Sequence, residues 1–173
     1  MPNGSLNVFH RKMKKVLFLR HAKSSWEYAV ADRHRPLQPK GMKAIAAVAQ
    51  HWKKRFLAYD ALYSSPANRA FHTAAILAHT IDFPLSKISL HEQLYSFNSN
   101  NIINFIQHCD DQIERIILVG HNPAFSQAAN YFCVNSTPEL KTADWISLTF
   151  EQALWQNIAD GRGQYGSKKE ATH

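Results

Sequence analysis

Three short polar segments of this 173-residue chain carry residue types suited to holding a phosphoryl group. Arg20-His21 sets a guanidinium beside an imidazole. Ser64-Ser65-Pro66 is followed shortly by Arg69. Gly120-His121-Asn122-Pro123 supplies a second imidazole. A guanidinium is a planar fork that grips phosphate oxygens in pairs. A neutral imidazole is a competent nucleophile near neutral pH, and its second nitrogen can be pinned by a backbone carbonyl. Taken singly, each Arg or His reads equally well as a surface residue. The joint pattern points to an anion site.

That pattern depends on what precedes each segment. Val16–Leu19, Ala61–Tyr63 and Ile116–Val119 are continuously apolar, as expected of strands covered on both faces. Residues 145–150 alternate weakly and read as a further strand, and residues 87–90 as another. Between them lie helical stripes: Met42, Ile45, Ala49, Trp52 and Phe56; then Ala67, Ala70, Ala74, Leu77 and Ile81; then Ile102, Phe105 and Ile106; then Phe125, Ala128, Ala129 and Phe132. Strands alternating with helices predict an α/β three-layer sandwich with a mostly parallel central sheet. In such sheets ligands sit beyond the carboxyl ends of the strands, where all three polar segments fall. Ser65-Pro66 and Asn122-Pro123 each read as a capping residue before a proline at the first helical position. Two helix N-termini, two arginines and two histidines are therefore expected to converge.

Composition narrows the class. The chain is 45% hydrophobic and 19% charged, which suits a folded domain with a core. No apolar run reaches the roughly 18 residues that span a bilayer, so no membrane partner is expected. The N-terminal stretch lacks the apolar core of a signal peptide, which points to a cytoplasmic protein. Of the net charge of +7, four positive charges come from Arg11, Lys12, Lys14 and Lys15. The expected organisation is a flexible basic leader over residues 1–13, a domain over 14–159 and a flexible tail over 160–173. With most of its basic excess in the first 15 residues, the chain is not expected to bind nucleic acid. Cys109 and Cys133 form no C-x-x-C pair and read as two buried thiols. The remaining histidines show no metal-ligand spacing; His72 and His79, two turns apart, are the nearest to one.

Several of these segments resemble one family. Leu19-Arg20-His21-Ala22 is similar to the Arg-His-Gly signature of the histidine phosphatase superfamily, the phosphoglycerate mutase-like enzymes, in the Arg-His-Ala form of the SixA-type phosphohistidine phosphatases. The stretch from Arg20 to Trp26, Arg35-Pro36-Leu37 and Lys40-Gly41 are similar to that branch. Ser64-Ser65-Pro66 with Arg69-Ala70 and Thr73-Ala74 resembles the second arginine motif, and residues 119–123 the second histidine motif. The resemblance runs from about Lys14 to about Phe150. It implies a phosphoglycerate mutase-like fold with a minimal lid, His21 as nucleophile, and Arg20, Arg69 and His121 completing the phosphate pocket. It implies no metal and no organic cofactor.

The implied activity is a phosphatase working through phospho-His21, with protein phosphohistidine as substrate. The alternative is a small phosphate ester, handled by a general phosphomonoesterase or small-metabolite phosphatase. An alkoxide leaving group needs a proton from a general acid, and an imidazole needs much less help. Glu92, after the possible strand at 87–90, is the candidate acid. Only 33 residues separate Ile81 from Arg115, which leaves little room for a lid and suits a protein-borne substrate. Lys23, Ser25 and Arg35 are candidates for the rim of the site.

Overall fold

The computed structural model describes residues 13–171. Its strands are β1 (Lys14–Arg20), β2 (Ala61–Ser64), β3 (Ile88–Leu90), β4 (Arg115–Gly120), β5 (Trp145–Phe150) and β6 (Arg162–Gly166). Its helices are α1 (Pro39–His51), α2 (Lys53–Phe56), α3 (Asn68–Ile81), α4 (Ser99–Gln107), α5 (Ala124–Phe132) and α6 (Lys168–Ala171). The strands form one sheet in the order β3-β2-β4-β1-β5-β6. The pairs β3–β2, β2–β4 and β4–β1 are parallel, and β5 and β6 add on antiparallel at one side. This is the mostly parallel three-layer sandwich expected from the sequence.

Alternation along the central strands divides the core. Leu17 and Leu19 of β1 and Ile117 and Val119 of β4 face α1 and α3, where they meet Ile45, Ala49, Ala74 and Leu77. Val16, Phe18, Ile116 and Leu118 face α4 and α5, against Ile102, Ile106, Phe125 and Ala128. All of these side chains are fully buried. Burying each large aliphatic contributes about 1.5–3 kcal/mol, so neither face of the stretches 16–19 and 116–119 tolerates an unpaired polar residue. Their apolar runs are continuous because both faces are covered.

Glycine fits where elements approach closely. A Cβ on Gly41 of α1 would collide with the Lys23 backbone. That contact lets the loop after β1 bond to the start of α1, through Gln38 N–H to Lys23 O at 2.8 Å and Ser25 N–H to Pro36 O at 2.8 Å. A Cβ on Gly120 would strike the Phe125 ring, which stacks edge-on against Phe18.

Four expectations are corrected. The stripe from Met42 to Phe56 is not one helix. Trp52 leaves helical geometry (φ −107°, ψ 25°), and α2 resumes for one turn that drops Phe56 into the core. Neither proline is the first helical residue: α3 starts at Asn68 and α5 at Ala124, one or two positions later. Both cysteines are free but only partly buried. Residues 160–171, expected as a flexible tail, carry β6 and α6. Gly166 of β6 lies against the Trp145 indole, and Tyr165 Oη donates to the buried Asp144 carboxylate at 2.6 Å. The β6 sequence shows no apolar pattern because its first four residues are exposed and backbone pairing holds it. The expected basic leader lies outside the described residues, Met13 excepted.

Candidate active site

The carboxyl ends of β1, β2 and β4 lie side by side, since Arg20 pairs with Gly120 and Ser64 with Val119. His21 follows β1 directly, and its backbone N–H donates to Gly120 O at 3.0 Å. His121 follows β4, and the two imidazole centroids are 5.2 Å apart. Arg69 reaches the same place from the first turn of α3. Thr73, one turn further on, ties helix to loop: its Oγ1 donates to Arg69 O at 2.6 Å and accepts from Ala22 N–H at 3.0 Å.

Hydrogen bonding settles the state of His21. Its Nδ1 lies 2.8 Å from Ala22 O, an acceptor only, so Nδ1 carries the proton. The lone pair on Nε2 faces Arg69, whose Nε–H donates to it at 3.3 Å. Burial pushes the His21 pKa down to about 3, with the Arg69, Arg20 and Arg35 charges adding to it and the Ala22 bond opposing. His21 is therefore neutral at physiological pH, with Nε2 unprotonated and accepting from Arg69.

His121 is prepared differently. Its Nε2 lies 2.8 Å from Ser65 Oγ. That oxygen also accepts Ala67 N–H at 3.2 Å. The other nitrogen, Nδ1, is buried without a partner among the described residues, and in the tautomer where the Ser65 hydroxyl donates to Nε2 it carries the hydrogen. Burial drives the His121 pKa down to about 2, and His21 and Arg69 push the same way. Tyr95 and Phe97 wall this ring at centroid distances of 5.5 and 5.7 Å. Arg20 shows a similar vacancy in its bonding. Its Nη1 donates to Leu140 O at 2.8 Å, while Nε is buried without an acceptor among the described residues. Buried donors without acceptors are rare in folded proteins. Two of them beside a neutral imidazole and a buried guanidinium describe a pocket built for an oxyanion.

Asp32 is the residue that sequence reasoning missed. Its carbonyl accepts Arg69 Nη1 at 2.5 Å, and its Oδ2 accepts Arg69 Nη2 at 2.8 Å and Tyr95 Oη at 2.9 Å. Its Oδ1 accepts Arg35 Nη1 at 3.0 Å. Although burial opposes them, the bonds from Arg69, Tyr95 and Arg35 hold its pKa down at about 2. Asp32 thus braces Arg69 from behind while Nε points at His21. The available signal was its spacing of three from Arg35. For Tyr95 no local signal exists, because 63 residues separate it from Asp32.

The rim candidates separate. Lys23 is exposed. Ser25 is buried, and its Oγ accepts Glu27 N–H at 3.1 Å. Arg35 spends its fork inside the loop, with Nε on Ser25 O at 3.0 Å and Nη2 on Ser24 Oγ at 2.6 Å, and its plane lies 3.2 Å over Trp26. The bonds of Ser25 and Arg35 are therefore made mainly within the loop, which they shape. Glu92 sits exposed on a short turn after β3. Arg33 grips both of its oxygens, at 2.6 and 2.9 Å, and holds its pKa below the usual carboxylate range. A proton donor at neutral pH needs a shift in the opposite direction. Asn122 is not the cap expected of it, since Pro123 holds that position without a side-chain bond; its Oδ1 instead accepts Ser126 N–H at 3.3 Å, and its amide joins Arg20 on Leu140 O. Among the described residues no group of three or more His, Cys, Asp or Glu is placed to hold a metal ion. No helix there is long and apolar enough to cross a membrane.

Comparison with known proteins agrees with this geometry. The model of the histidine phosphatase superfamily (branch 1) matches residues 16–98. An uncharacterised protein of Mycobacterium tuberculosis is 36% identical over 134 residues, covering 76% of this chain and 80% of its own. Among solved structures, the protein histidine phosphatase SixA complexed with tungstate superposes with a TM-score of 0.76 at 19% identity, over 90% of this chain and 98% of that one. Phosphoglycerate mutase from Bacillus anthracis superposes with a TM-score of 0.65 at 12% identity, over 94% of this chain and 98% of that one. At such identities these two matches speak for the fold. With its motifs placed together at the ends of β1, β2 and β4, the chain belongs to the histidine phosphatase superfamily.

Proposed function

We propose that this chain is a phosphatase that hydrolyses protein phosphohistidine through a phospho-His21 intermediate. The observation that carries the reading is the state of His21: neutral, Nδ1 fixed on Ala22 O, and Nε2 directed at Arg69. Nε2 attacks phosphorus in line with the departing group. Charge on the equatorial oxygens is met by Arg20 Nε, Arg69 and the free N–H of His121. As the P–Nε2 bond forms, Nδ1 keeps its proton and its bond to Ala22, and that carbonyl stabilises the positive charge on the ring. Water then attacks phospho-His21, releasing inorganic phosphate and restoring neutral His21.

The substrate reading rests on Glu92. Gripped by Arg33 and ionised, it offers no proton to an alkoxide. A phosphohistidine that carries a proton on its other ring nitrogen departs as neutral imidazole, whose conjugate acid has a reference pKa of about 6.5, so it needs no further proton from the enzyme. The test compares hydrolysis of a phosphohistidine peptide with a panel of alkyl phosphomonoesters, in the wild type and in His21→Asn and Glu92→Gln variants. The expected result is preference for the peptide, its loss in His21→Asn, and less than about 3-fold change in Glu92→Gln, since exposed ion pairs contribute little. A preference for monoesters that collapses in Glu92→Gln would make the protein an acid-assisted phosphomonoesterase instead.

A further inference from the structure

The opposite end of the sheet holds a second cluster of cations that phosphatase chemistry does not use. A groove of about 780 Å³ opens there, lined by Lys15, His51, Trp52, Lys53, Lys54 and Arg55 among others, and no carboxylate lines it. Lys15 lies five residues before Arg20 on β1, so the groove is about 17 Å from the catalytic pocket. It is a different site with different walls.

The strand register sets one of these cations, Lys15, against a further cation beside the groove, Arg115. In the β1–β4 ladder, Lys15 pairs directly with Arg115, and like charges opposed across strands are destabilising. The Lys15 ammonium is correspondingly perturbed: burial lowers its pKa, and the charges of Arg55 and Arg115 lower it further. Among the described residues the one carboxylate paired with this group is Asp82, at 3.4 Å from Lys53 and itself exposed. Lys15, Lys54 and Arg55 have no ion pair there. Arg55 is instead held by Gln164 Oε1 at 2.6 Å and lies 5.0 Å over the Trp145 ring. Arg115 is fixed by the Ala58 carbonyl at 3.0 Å. Two of the cations are thus anchored by neutral partners, which keeps their charge available. The volume falls in the range of small-ligand sites.

We infer that this groove binds a condensed phosphate chain, with Lys15, Lys53, Lys54 and Arg55 supplying the charge. One short ligand with several closely spaced negative charges satisfies all of them at once, whereas a single phosphate would leave most unmatched. Trp52 and His51, packed edge to face at 4.5 Å, form one wall. Their place in the groove makes the source of the chain testable: a nucleoside polyphosphate gains from an aromatic wall and inorganic tripolyphosphate does not.

The test is calorimetric titration of the full chain with inorganic tripolyphosphate and with ATP, both without divalent metal. Expected is 1:1 binding with Kd below about 100 μM at low salt. Affinity should fall at least 10-fold in Lys53→Glu/Lys54→Glu and by a smaller factor in the milder Lys53→Gln/Lys54→Gln, with His21-dependent turnover unchanged in both. It should stay within 2-fold in Arg69→Gln. Tighter binding of ATP than of tripolyphosphate would assign a nucleotide, and equal binding would assign the phosphate chain alone; both support the groove. Absence of binding at 1 mM would overturn it. So would binding that survives the lysine variants and disappears in Arg69→Gln, since the anion would then occupy the catalytic pocket. A single-stranded oligonucleotide binding more than 10-fold tighter than either probe would replace the inference with a nucleic-acid surface.

Discussion

Both ends of the parallel strands gather positive charge, and they manage it in opposite ways. At the carboxyl end, Arg69 is 2% exposed and held at all three nitrogens, with Asp32 on two and His21 on the third, which leaves one N–H on each Nη for a ligand. Arg35 is likewise held at all three nitrogens, and Arg33 is paired with Glu92. At the amino end, Lys15 faces Arg115 across the ladder, and Arg55 has no carboxylate partner among the described residues. The first arrangement fixes donors before any substrate arrives, which is what transition-state stabilisation requires. The second stores repulsion that an anion relieves, which suits binding and not chemistry. Position on the strands separates the two roles, since catalytic groups in open α/β sheets collect at the carboxyl ends.

The strongest way to break the comparison is to remove a preorganised charge. Arg69→Gln keeps a polar side chain of similar reach and deletes the cation. Loss of one fixed donor typically costs about 100- to 1000-fold in kcat. Stopped-flow measurement of phosphoenzyme formation on a phosphohistidine peptide reads this directly. A drop of less than 10-fold would mean that the carboxyl end is no more preorganised than the amino end.

Asp32→Asn probes the brace and not the donor. The variant keeps the backbone carbonyl on Arg69 Nη1 and can still accept at Oδ1, but it loses the charge that Arg69, Arg35 and Tyr95 share. We expect about a 10-fold loss in kcat with KM changed less, because a guanidinium displaced by a fraction of an ångström still attracts substrate but meets the transition state poorly. Asp32→Glu, which retains the charge on a longer stem, should recover part of the rate. Equal damage from both variants, accompanied by a lowered Tm, would reduce Asp32 to a structural role.

The same residues show what was legible in the sequence. The continuous apolar runs at Val16–Leu19 and Ile116–Val119 exposed the buried strands, because covering both faces leaves no polar positions. The two Arg and two His that end on one pocket were legible for a related reason: each directly follows such a run or opens the helix after it. Asp32 was not, because its partners Arg69 and Tyr95 are 37 and 63 residues away, and only folding brings them together. β6 was hidden because an exposed edge strand held by backbone bonds needs no apolar pattern. The tautomers of His21 and His121 were out of reach as well, since they depend on the Ala22 carbonyl and the Ser65 hydroxyl in space.

Acid sharpens the contrast in stability. His21 and His121 are held neutral, with folded pKa values of about 3 and about 2 against 6.5 unfolded. Their unfolded forms bind protons first, so stability falls as pH drops below about 6.5 and continues to fall until the folded values are reached. Asp32, with a folded pKa of about 2 against 3.8, adds a further loss as pH falls below 3.8. The cations at the amino end stay charged over this whole range and contribute no such slope. Urea unfolding from pH 7 to pH 4 should show a steep loss in the wild type and a shallower one in His21→Asn. Equal slopes would show that His21 is not held neutral in the folded protein.

The smallest expected effect belongs to the amino end. Replacing Lys15 by Gln removes repulsion from Arg55 and Arg115, but it also removes the ammonium that lies 5.6 Å from the Tyr59 ring centroid. The two contributions are each of order 0.5 kcal/mol and of opposite sign, so the net stability change at one salt concentration decides nothing. Their salt dependence differs. Repulsion between partly exposed cations is screened once the Debye length shrinks to about 8 Å near physiological ionic strength, whereas a cation seated against a ring is screened far less. Wild-type stability should therefore rise between 10 and 200 mM sodium chloride, and Lys15→Gln should rise by a few tenths of a kcal/mol less. Matching salt slopes in the two proteins would mean that the amino-end charges are too well solvated to repel, and the contrast between the two ends of the sheet would lose its physical basis.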